Sequence, residues 1–308
     1  MARARELAGQ VVVVTGAARG LGALVAKRLA ARNARVALLG LEPDELARVS
    51  AACGPRCRWW EVDVTDERAL ADVAAAVRDA YERVDVVVAN AGIAVGAPFI
   101  YTDARSFNRV IEVNLLGSVA TARAFLPALV ESKGYLLHVA SAAAFAPSPM
   151  MTAYCASKAG VEAFAHSVRV EVAHHGVGVG VAYLSWTDTD MVRGADENPA
   201  LREMRADMPF LARRTNPAGP AADALVRGIA RRAPHVYGQR WLPPVQLFRG
   251  LLPWFTRLAG RDMPEIEARW LATGARTDPV GAGGAADIAA RAPSAARAPS
   301  GTARCQRS

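Results

Sequence analysis

The chain has 308 residues, of which 52% are hydrophobic, and a formal net charge of +8. This length and composition allow one large α/β domain or two small ones. The positive charge is spread along the chain. No dense Lys/Arg block or aromatic-interleaved stripe indicates a nucleic-acid-binding face, so no nucleic acid partner is expected.

Cysteines and apolar runs bear on the compartment and on metal binding. The four cysteines lack the second pair or the histidine partners of a zinc site, so no metal site is expected. Sparse cysteines are typical of a reducing compartment. The N-terminal residues have no signal-peptide core, and no apolar run reaches the roughly 20 residues that cross a bilayer. We therefore expect a cytoplasmic protein without a transmembrane segment.

Apolar, β-branched runs alternate with helical patterns over the first 240 residues. The predicted elements in chain order are a strand over 11–14, a helix over 21–31, strands over 35–39 and 59–62, a helix over 67–81, a strand over 84–89, a helix over 106–130, a strand over 135–140, a helix over 153–174, and strands over 177–184 and 235–237. This alternation is typical of βαβ units whose strands are covered on both faces. It predicts a single α/β domain over residues 1–240 with a Rossmann-type, doubly wound parallel sheet.

Two segments of different composition follow residue 240. Residues 241–274 are rich in large apolar residues with interleaved arginines, which predicts a C-terminal helical extension. The extension either packs on the core or on a partner subunit, or forms an amphipathic lid with weak peripheral membrane contact. Residues 275–308 are mostly Ala, Gly, Pro, Ser and Arg, and are predicted to form a disordered tail because they bury too little apolar surface.

A glycine-rich turn joins the first strand to the first helix. Its sequence is Thr15-Gly16-Ala17-Ala18-Arg19-Gly20-Leu21-Gly22. Gly16 allows a tight turn, Gly20 lets the backbone approach a pyrophosphate, and Gly22 lets the helix pack on the strand. The free N–H groups at the start of the helix then face the phosphates. This strand–turn–helix context predicts a dinucleotide-binding site.

The spacing T-G-x-x-x-G-x-G, Asp63-Val64-Thr65 after the third strand and Asn90-Ala91-Gly92 after the fourth resemble the short-chain dehydrogenase/reductase family. The resemblance covers roughly residues 8–240. It implies an oxidoreductase that moves hydride between a nicotinamide cofactor and a carbonyl or alcohol. By this resemblance, cofactor binding is assigned to Thr15, Gly16, Arg19, Gly20, Leu21, Gly22, Asp63, Val64, Asn90, Ala91, Gly92, Tyr154, Lys158 and Thr189.

Carbonyl reduction needs an acid for the developing alkoxide and groups that orient the carbonyl. Tyr154 and Lys158 are four residues apart and so share one face of the predicted helix. The ammonium and an oxidised nicotinamide are expected to lower the pKa of the phenol. Ser141 ends the fifth strand, where a parallel sheet opens into its ligand crevice, and is expected to hold the carbonyl oxygen. By resemblance, Asn114 completes the catalytic tetrad of Asn114, Ser141, Tyr154 and Lys158 and supports a water relay from Lys158.

The choice of cofactor stays open. Gly40 stands where NAD-selective members of the family carry Asp, and Arg19 is suited to pair with a 2′-phosphate, which favours NADP(H). Glu42 lies nearby and is suited to bind the ribose diol of NAD(H) instead. The segment from Leu184 to Thr189 departs from the family's P-G-x-V-x-T pattern but keeps Thr189, and Trp186 either walls the pocket or packs in the core.

The substrate side is the least constrained part of the sequence. Residues 190–214 contain three Met, two Leu and one Phe, a flexible apolar lining that favours a fatty aldehyde, acyl derivative, steroid or polyketide. A catalytically silent dinucleotide-binding regulator or scaffold is the alternative, and the complete tetrad disfavours it. The resemblance also implies a homo-oligomer, dimer or tetramer, assembled through the two long helices.

Overall fold

The computed structural model describes residues 6–252, 260–274 and 277–291. Seven parallel strands form one sheet in the order β3-β2-β1-β4-β5-β6-β7. The strands are β1 (Val11–Thr15), β2 (Arg35–Gly40), β3 (Cys57–Glu61), β4 (Val86–Ala89), β5 (Tyr135–Val139), β6 (Gly178–Tyr183) and β7 (His235–Tyr237). The order reverses between β1 and β4, where a doubly wound sheet opens a ligand crevice. The predicted Rossmann-type fold is confirmed.

Helices cover both faces of the sheet. They are α1 (Gly20–Ala30), α2 (Pro43–Cys53), α3 (Glu67–Tyr81), α4 (Ala104–Ile111), α5 (Gly117–Ser132), α6 (Thr152–Glu171), α7 (Asp190–Glu197), α8 (Pro199–Ala206), α9 (Phe210–Arg213), α10 (Ala218–Arg231), α11 (Leu242–Leu247), α12 (Met263–Ala272) and α13 (Gly281–Arg291). Helices α1, α2 and α10 share one core layer, and α3, α5 and α6 share the other. The continuous apolar strands are therefore buried on both faces, as predicted.

Helices α4 and α5 are joined by a π-helical turn, Glu112–Leu116, into one helix over Ala104–Ser132. Among the described residues it is the one helix long and apolar enough to cross a membrane. More than half of its apolar window, 56%, is buried inside the protein. Such burial is typical of a helix that packs in a protein core, here against β4 and β5.

The segment that follows β7 packs on the same domain. Leu242 is fully buried in the larger core cluster, and Arg249 Nη1 lies 2.9 Å from the buried carboxylate of Glu162 in α6. Ile266 and Trp270 of α12 are buried in a third cluster beside α8. The described parts of the extension therefore pack on the domain, and this packing is compatible with both the core-packing and the lid interpretation. Residues 253–259, which hold part of the apolar run, lie outside the described residues.

The predicted disorder from residue 275 does not hold over residues 281–291, which form α13. Asp287 of this helix is buried and ion-paired with Arg109 of α4. A Cβ atom on Gly284 would overlap the carbonyl of Pro279, so only glycine allows this approach. Disorder was expected because this segment has few large apolar side chains. Helix α13 is instead held by close backbone contacts and a buried ion pair. Residues 292–308 lie outside the described residues.

Candidate active site

A cavity of about 1070 Å³ opens at the carboxyl ends of strands β1 to β6. This volume is at the upper end of the roughly 300–1,000 Å³ usual for ligand pockets. Its walls include the glycine-rich turn, the ends of β4 and β5, the first turns of α6 and α7, and parts of α11, α12 and α13. It therefore occupies the crevice that the strand order predicts.

The glycine-rich turn has the shape of a phosphate cradle. Gly16 and Gly20 adopt φ angles of +63° and +54°, which side chains other than glycine rarely adopt. A Cβ atom on Gly22 would overlap the carbonyl oxygen of Gly16 and lie 2.7 Å from Nδ2 of Asn90. Helix α1 begins at Gly20, so the free N–H groups of its first turn are available to an anion. These observations fit a bound pyrophosphate.

Thr15 lies behind the cradle and does not line the cavity. Its hydroxyl accepts hydrogen bonds from the backbone N–H groups of Asn90 and Ala91, at 3.0 and 3.1 Å. In return, Asn90 Nδ2 donates to the carbonyl of Thr15 at 3.0 Å and to that of Gly16 at 3.2 Å. Thr15 thus ties the ends of β1 and β4 together, while Asn90, Ala91 and Gly92 line the cavity.

Asp63 stands at the cavity edge after β3, beside Val64. Its Oδ1 accepts from the Thr65 backbone N–H at 2.9 Å and the Thr65 hydroxyl at 2.8 Å. Its Oδ2 accepts from Arg109 Nη2 at 2.8 Å. Burial opposes ionisation, but the hydrogen bonds from Thr65 and Arg109 outweigh it and lower the pKa of Asp63. The carboxylate is therefore charged and fixed in orientation.

Arg19 is paired in the structure. Its Nε donates to Glu42 Oε2 at 2.8 Å, its Nη2 also contacts Glu42, and its Nη1 lies 3.7 Å from Asp190. The hydrogen bond that Arg19 donates to the Glu42 carboxylate raises the pKa of Arg19. Arg19, Glu42 and Gly40 all line the cavity. The guanidinium of Arg19 is thus paired with the Glu42 carboxylate just after β2. This pairing affects whether Arg19 is available to a cofactor phosphate.

The structure brings Ser141, Tyr154 and Lys158 together on the cavity wall. Ser141 Oγ donates to the Leu184 carbonyl at 3.2 Å and lies near the Tyr154 phenol. Lys158 Nζ lies 5.7 Å from the centre of the Tyr154 ring and donates to the carbonyl of Val139 at 2.9 Å. The helical spacing that predicts a shared face for Tyr154 and Lys158 is thus realised at the end of β5.

Burial shifts the pKa values of Tyr154 and Lys158 in opposite directions. Burial raises the pKa of Tyr154 to about 12, against the lowering by the Ser141 hydrogen bond. Burial lowers the pKa of Lys158 to about 8. Burial penalises the phenolate, and the Lys158 ammonium is directed to the Val139 carbonyl. The expected lowering of the phenol pKa, which includes the charge of an oxidised nicotinamide, stays a prediction.

Asn114 lies in the π-helical turn and is buried behind the cavity. Its Oδ1 accepts from the Ile93 N–H at 2.8 Å, and its Nδ2 donates to the Ile93 carbonyl at 3.0 Å and to Ser157 Oγ at 2.9 Å. A Cβ atom on Gly92 would lie 3.1 Å from Asn114 Oδ1 and 3.4 Å from Lys158 Nζ. Asn114 therefore fixes the backbone after β4, and Gly92 lies close to both Asn114 and Lys158.

The segment after β6 closes the cavity from the other side. Thr189 precedes α7, lines the cavity and donates from its hydroxyl to the Thr187 carbonyl at 3.2 Å. A Cβ atom on Gly20 would lie 3.6 Å from Thr189. Trp186 also lines the cavity, and Arg205 lies over its ring at 5.1 Å. Trp186 meets both interpretations, because it lines the cavity and also packs against the third core cluster.

Sequence reasoning missed the pair of Arg109 and Asp287. Arg109 holds Asp63 in place, and Asp287 reaches Arg109 from 178 positions further along the chain. Each residue stands alone in its local sequence, one on an amphipathic helix and one in an Ala- and Gly-rich tail. No spacing rule could have joined them.

Known proteins are similar to the part of the chain that contains this site. The family model for short chain dehydrogenases matches residues 10–200. Cis-4-hydroxycyclohexanecarboxylate dehydrogenase of Sinomonas cyclohexanicum is 35% identical over 191 residues, covering 61% of this chain and 77% of that relative. An uncharacterized oxidoreductase of Staphylococcus epidermidis is 30% identical over 197 residues, covering 64% and 84%. The probable oxidoreductase EphD of Mycobacterium tuberculosis is 33% identical over 237 residues, covering 73% of this chain and 40% of that relative.

Proposed function

The chain belongs to the short-chain dehydrogenase family, and from that premise we propose an NAD(P)(H)-dependent oxidoreductase that interconverts a carbonyl and an alcohol on an apolar, lipid-like substrate. The single observation that carries the proposal is the convergence of Ser141, Tyr154 and Lys158 on the cavity that the glycine cradle borders. A proton donor, a carbonyl-binding hydroxyl and a dinucleotide cradle then face one space.

We assign cofactor binding as follows. Gly16, Gly20 and Gly22 leave room for the pyrophosphate, and the first turn of α1 donates N–H groups to it. Asp63 and Val64 border the adenine side, and Thr189 the nicotinamide side. When bound, the nicotinamide ring supplies or accepts the hydride. Asn90, Ala91 and Gly92 shape the wall between these two ends, with Thr15 supporting them from behind.

The proton-transfer roles follow from the contacts of the site. Tyr154 donates its hydroxyl proton to the oxygen of the reduced carbonyl, or accepts a proton when an alcohol is oxidised. Ser141 lines the cavity next to Tyr154, and we assign its hydroxyl to hold that oxygen, for which it must leave the Leu184 carbonyl. Lys158 is buried beside the phenol and stabilises negative charge on it when protonated. Asn114 acts as a positioning residue through the backbone of Ile93 and as support for a water relay from Lys158.

The choice between NADP(H) and NAD(H) depends on Arg19 and Glu42. The absence of a carboxylate at Gly40 and the position of Arg19 support the NADP(H) preference that we propose. One observation favours NAD(H) as the second candidate. Glu42 forms an ion pair with Arg19, and its carboxylate would repel a 2′-phosphate bound there. To bind NADP(H), Arg19 must therefore break its ion pair with Glu42 and form one with the 2′-phosphate.

The apolar substrate is supported by the lining of the cavity beyond Tyr154. These residues come from the segment after β6 and from the C-terminal extension, and include Trp186, Met191, Met204, Met208, Leu211, Trp241, Val245, Leu252 and Ile266. Binding of a hydrocarbon substrate against this surface is favourable because it removes apolar area from water. Methionine and leucine side chains also adapt to substrates of different shape.

The proposal includes a cytoplasmic location and a homo-oligomer. Cys53, Cys57 and Cys155 are free thiols, as is usual in a reducing compartment. Leu116 and Val170, on the two long helices, expose 53% and 77% of their surface, which supports assembly through those helices. Light scattering coupled to size-exclusion chromatography tests the assembly: a monomer at micromolar concentration would contradict it.

The experiment is a spectrophotometric screen. The full chain is mixed with NADH or NADPH and a panel of aldehydes and ketones, and with NAD⁺ or NADP⁺ and the matching alcohols, and absorbance is followed at 340 nm. We expect turnover with apolar members of the panel. Cofactor binding without any turnover across the panel would favour the silent regulator instead, and absence of cofactor binding would refute both.

A further inference from the structure

Helix α13 is attached to the cofactor side of the domain by its backbone. The Val280 N–H, just before the helix, donates to the carbonyl of Ala94 at 2.8 Å, close to the end of β4. A Cβ atom on Gly194 of α7 would overlap the backbone of Gly281, and one on Gly281 would lie 2.8 Å from Met191 Cα. The helix therefore rests directly on α7, the helix that borders the cavity.

A buried ion cluster holds the same helix from the other side. Arg109 Nη2 and Nε donate to Asp287 Oδ1 at 2.6 and 3.0 Å, and Nη2 also donates to Asp63 Oδ2 at 2.8 Å. Asp287 and Arg109 are only 2% and 6% exposed. Charge-assisted hydrogen bonds of this kind are short and fix orientation. One guanidinium thus connects α13 to the carboxylate that we assign to the adenine side of the cofactor.

The inner face of α13 borders the cavity. Val280, Gly283, Gly284, Ala286 and Asp287 line it, together with Asp63 and Val64. A Cβ atom on Gly283 would meet nothing within 4 Å, so open space lies next to the helix. The small residues on this face leave room for a ligand between α13 and the end of β3.

We propose that α13 is the outer wall of the dinucleotide cleft, and that Asp287, acting through Arg109 on Asp63, is a positioning residue for the adenosine half of the cofactor. This inference rests on the proposed function. Without Asp287, Arg109 loses the partner of its Nε and its shortest Nη2 hydrogen bond, and only Asp63, Thr65 and Glu112 hold the guanidinium. The wall also loses its only described ion pair to α4. The cofactor then loses contact with the α13 side of the cleft and binds more weakly.

The test measures dissociation constants of the full chain for NADH, NADPH and ADP-ribose by fluorescence titration and calorimetry. Asp287→Asn removes the charge of the ion pair, and we expect about tenfold weaker binding of all three ligands, since tenfold corresponds to about 1.4 kcal/mol. Asp287→Glu is expected to recover most of the affinity. Gly283→Met extends a side chain into the open space and is expected to weaken binding at least about tenfold without destabilising the unliganded protein.

Two matched controls lie in the same segment. Asp278→Asn removes an exposed carboxylate before the helix, and Ala285→Met adds the same side chain on the exposed face of α13. Both are expected to bind the ligands within about twofold of the wild type. With a substrate from the screen, Asp287→Asn is expected to raise the KM for the cofactor and to leave kcat within about twofold. Loss of kcat together with a lower melting temperature would mean a merely structural role.

The outcomes separate this inference from the proposed function. If the wild type binds neither NADH nor NADPH, both are refuted. If the wild type binds and Asp287→Asn and Gly283→Met bind within about twofold of it, α13 does not wall the cofactor and only this inference fails. Weakened binding in both variants, with unchanged controls, supports it.

Discussion

Gly22 has no room for a side chain, and this makes it a sharp test of the phosphate cradle. A Cβ atom at this position would overlap the carbonyl oxygen of Gly16 and lie 2.7 Å from Asn90 Nδ2. Neither contact is with the end of a flexible side chain, since Asn90 Nδ2 is held by two backbone carbonyls. In Gly22→Ala the cradle must shift by several tenths of an ångström, at an overpacking cost of about 1–3 kcal/mol.

We expect this cost to fall mainly on the cradle, so that Gly22→Ala binds NADH and NADPH at least about tenfold more weakly, tenfold corresponding to about 1.4 kcal/mol. Fluorescence titration gives the dissociation constants, and thermal unfolding reports the loss of stability. Gly250→Ala is the control, because a Cβ atom there meets nothing within 4 Å. Wild-type affinity in Gly22→Ala, with wild-type stability, would refute the close packing of α1 on the cradle.

Two further substitutions test the charges around the site. Glu42→Gln removes the carboxylate that pairs with Arg19. The affinity for NADPH relative to NADH is therefore expected to rise about tenfold in fluorescence titrations. An unchanged ratio would exclude a role of Glu42 in cofactor selection. Burial lowers the pKa of His138 to about 3, so the unfolded state binds more protons between about pH 3 and 6.5, and stability falls as pH falls through this window. Between pH 7 and 4.5 the wild type is expected to lose about 2–3 kcal/mol more stability than His138→Asn in urea unfolding, and equal losses would contradict the buried neutral imidazole.

The local parts of the fold could be predicted from the sequence because each element carries its own signal. Apolar runs gave all seven strands to within two residues at each end, and helix α3 was predicted with its observed bounds, Glu67–Tyr81. The cradle was predictable because Gly16, Gly20 and Gly22 lie between a strand and a helix. Helices α2 and α10 were not predicted, and Pro43, in the first turn of α2, is the start signal that was missed.

Contacts between distant parts of the chain could not be predicted in this way. The pair of Asp287 and Arg109 joins a segment expected to be disordered to a helix 178 positions away, and no local pattern marks either residue. The pKa of Tyr154 was expected to fall because helical spacing places Lys158 beside it and an oxidised nicotinamide adds positive charge. Spacing reports neither the burial of the phenol, which raises this pKa, nor the hydrogen bond that directs Lys158 to Val139.

Tyr154→Phe tests proton transfer at the site most directly, because it removes one hydroxyl and leaves the ring in place. With a substrate found in the screen, turnover is expected to fall at least about 100-fold, the usual size of an acid–base contribution, while the dissociation constants for NADH and NADPH stay within about twofold. Turnover within a few-fold of the wild type would show that another group transfers the proton and would contradict the assignment of Tyr154.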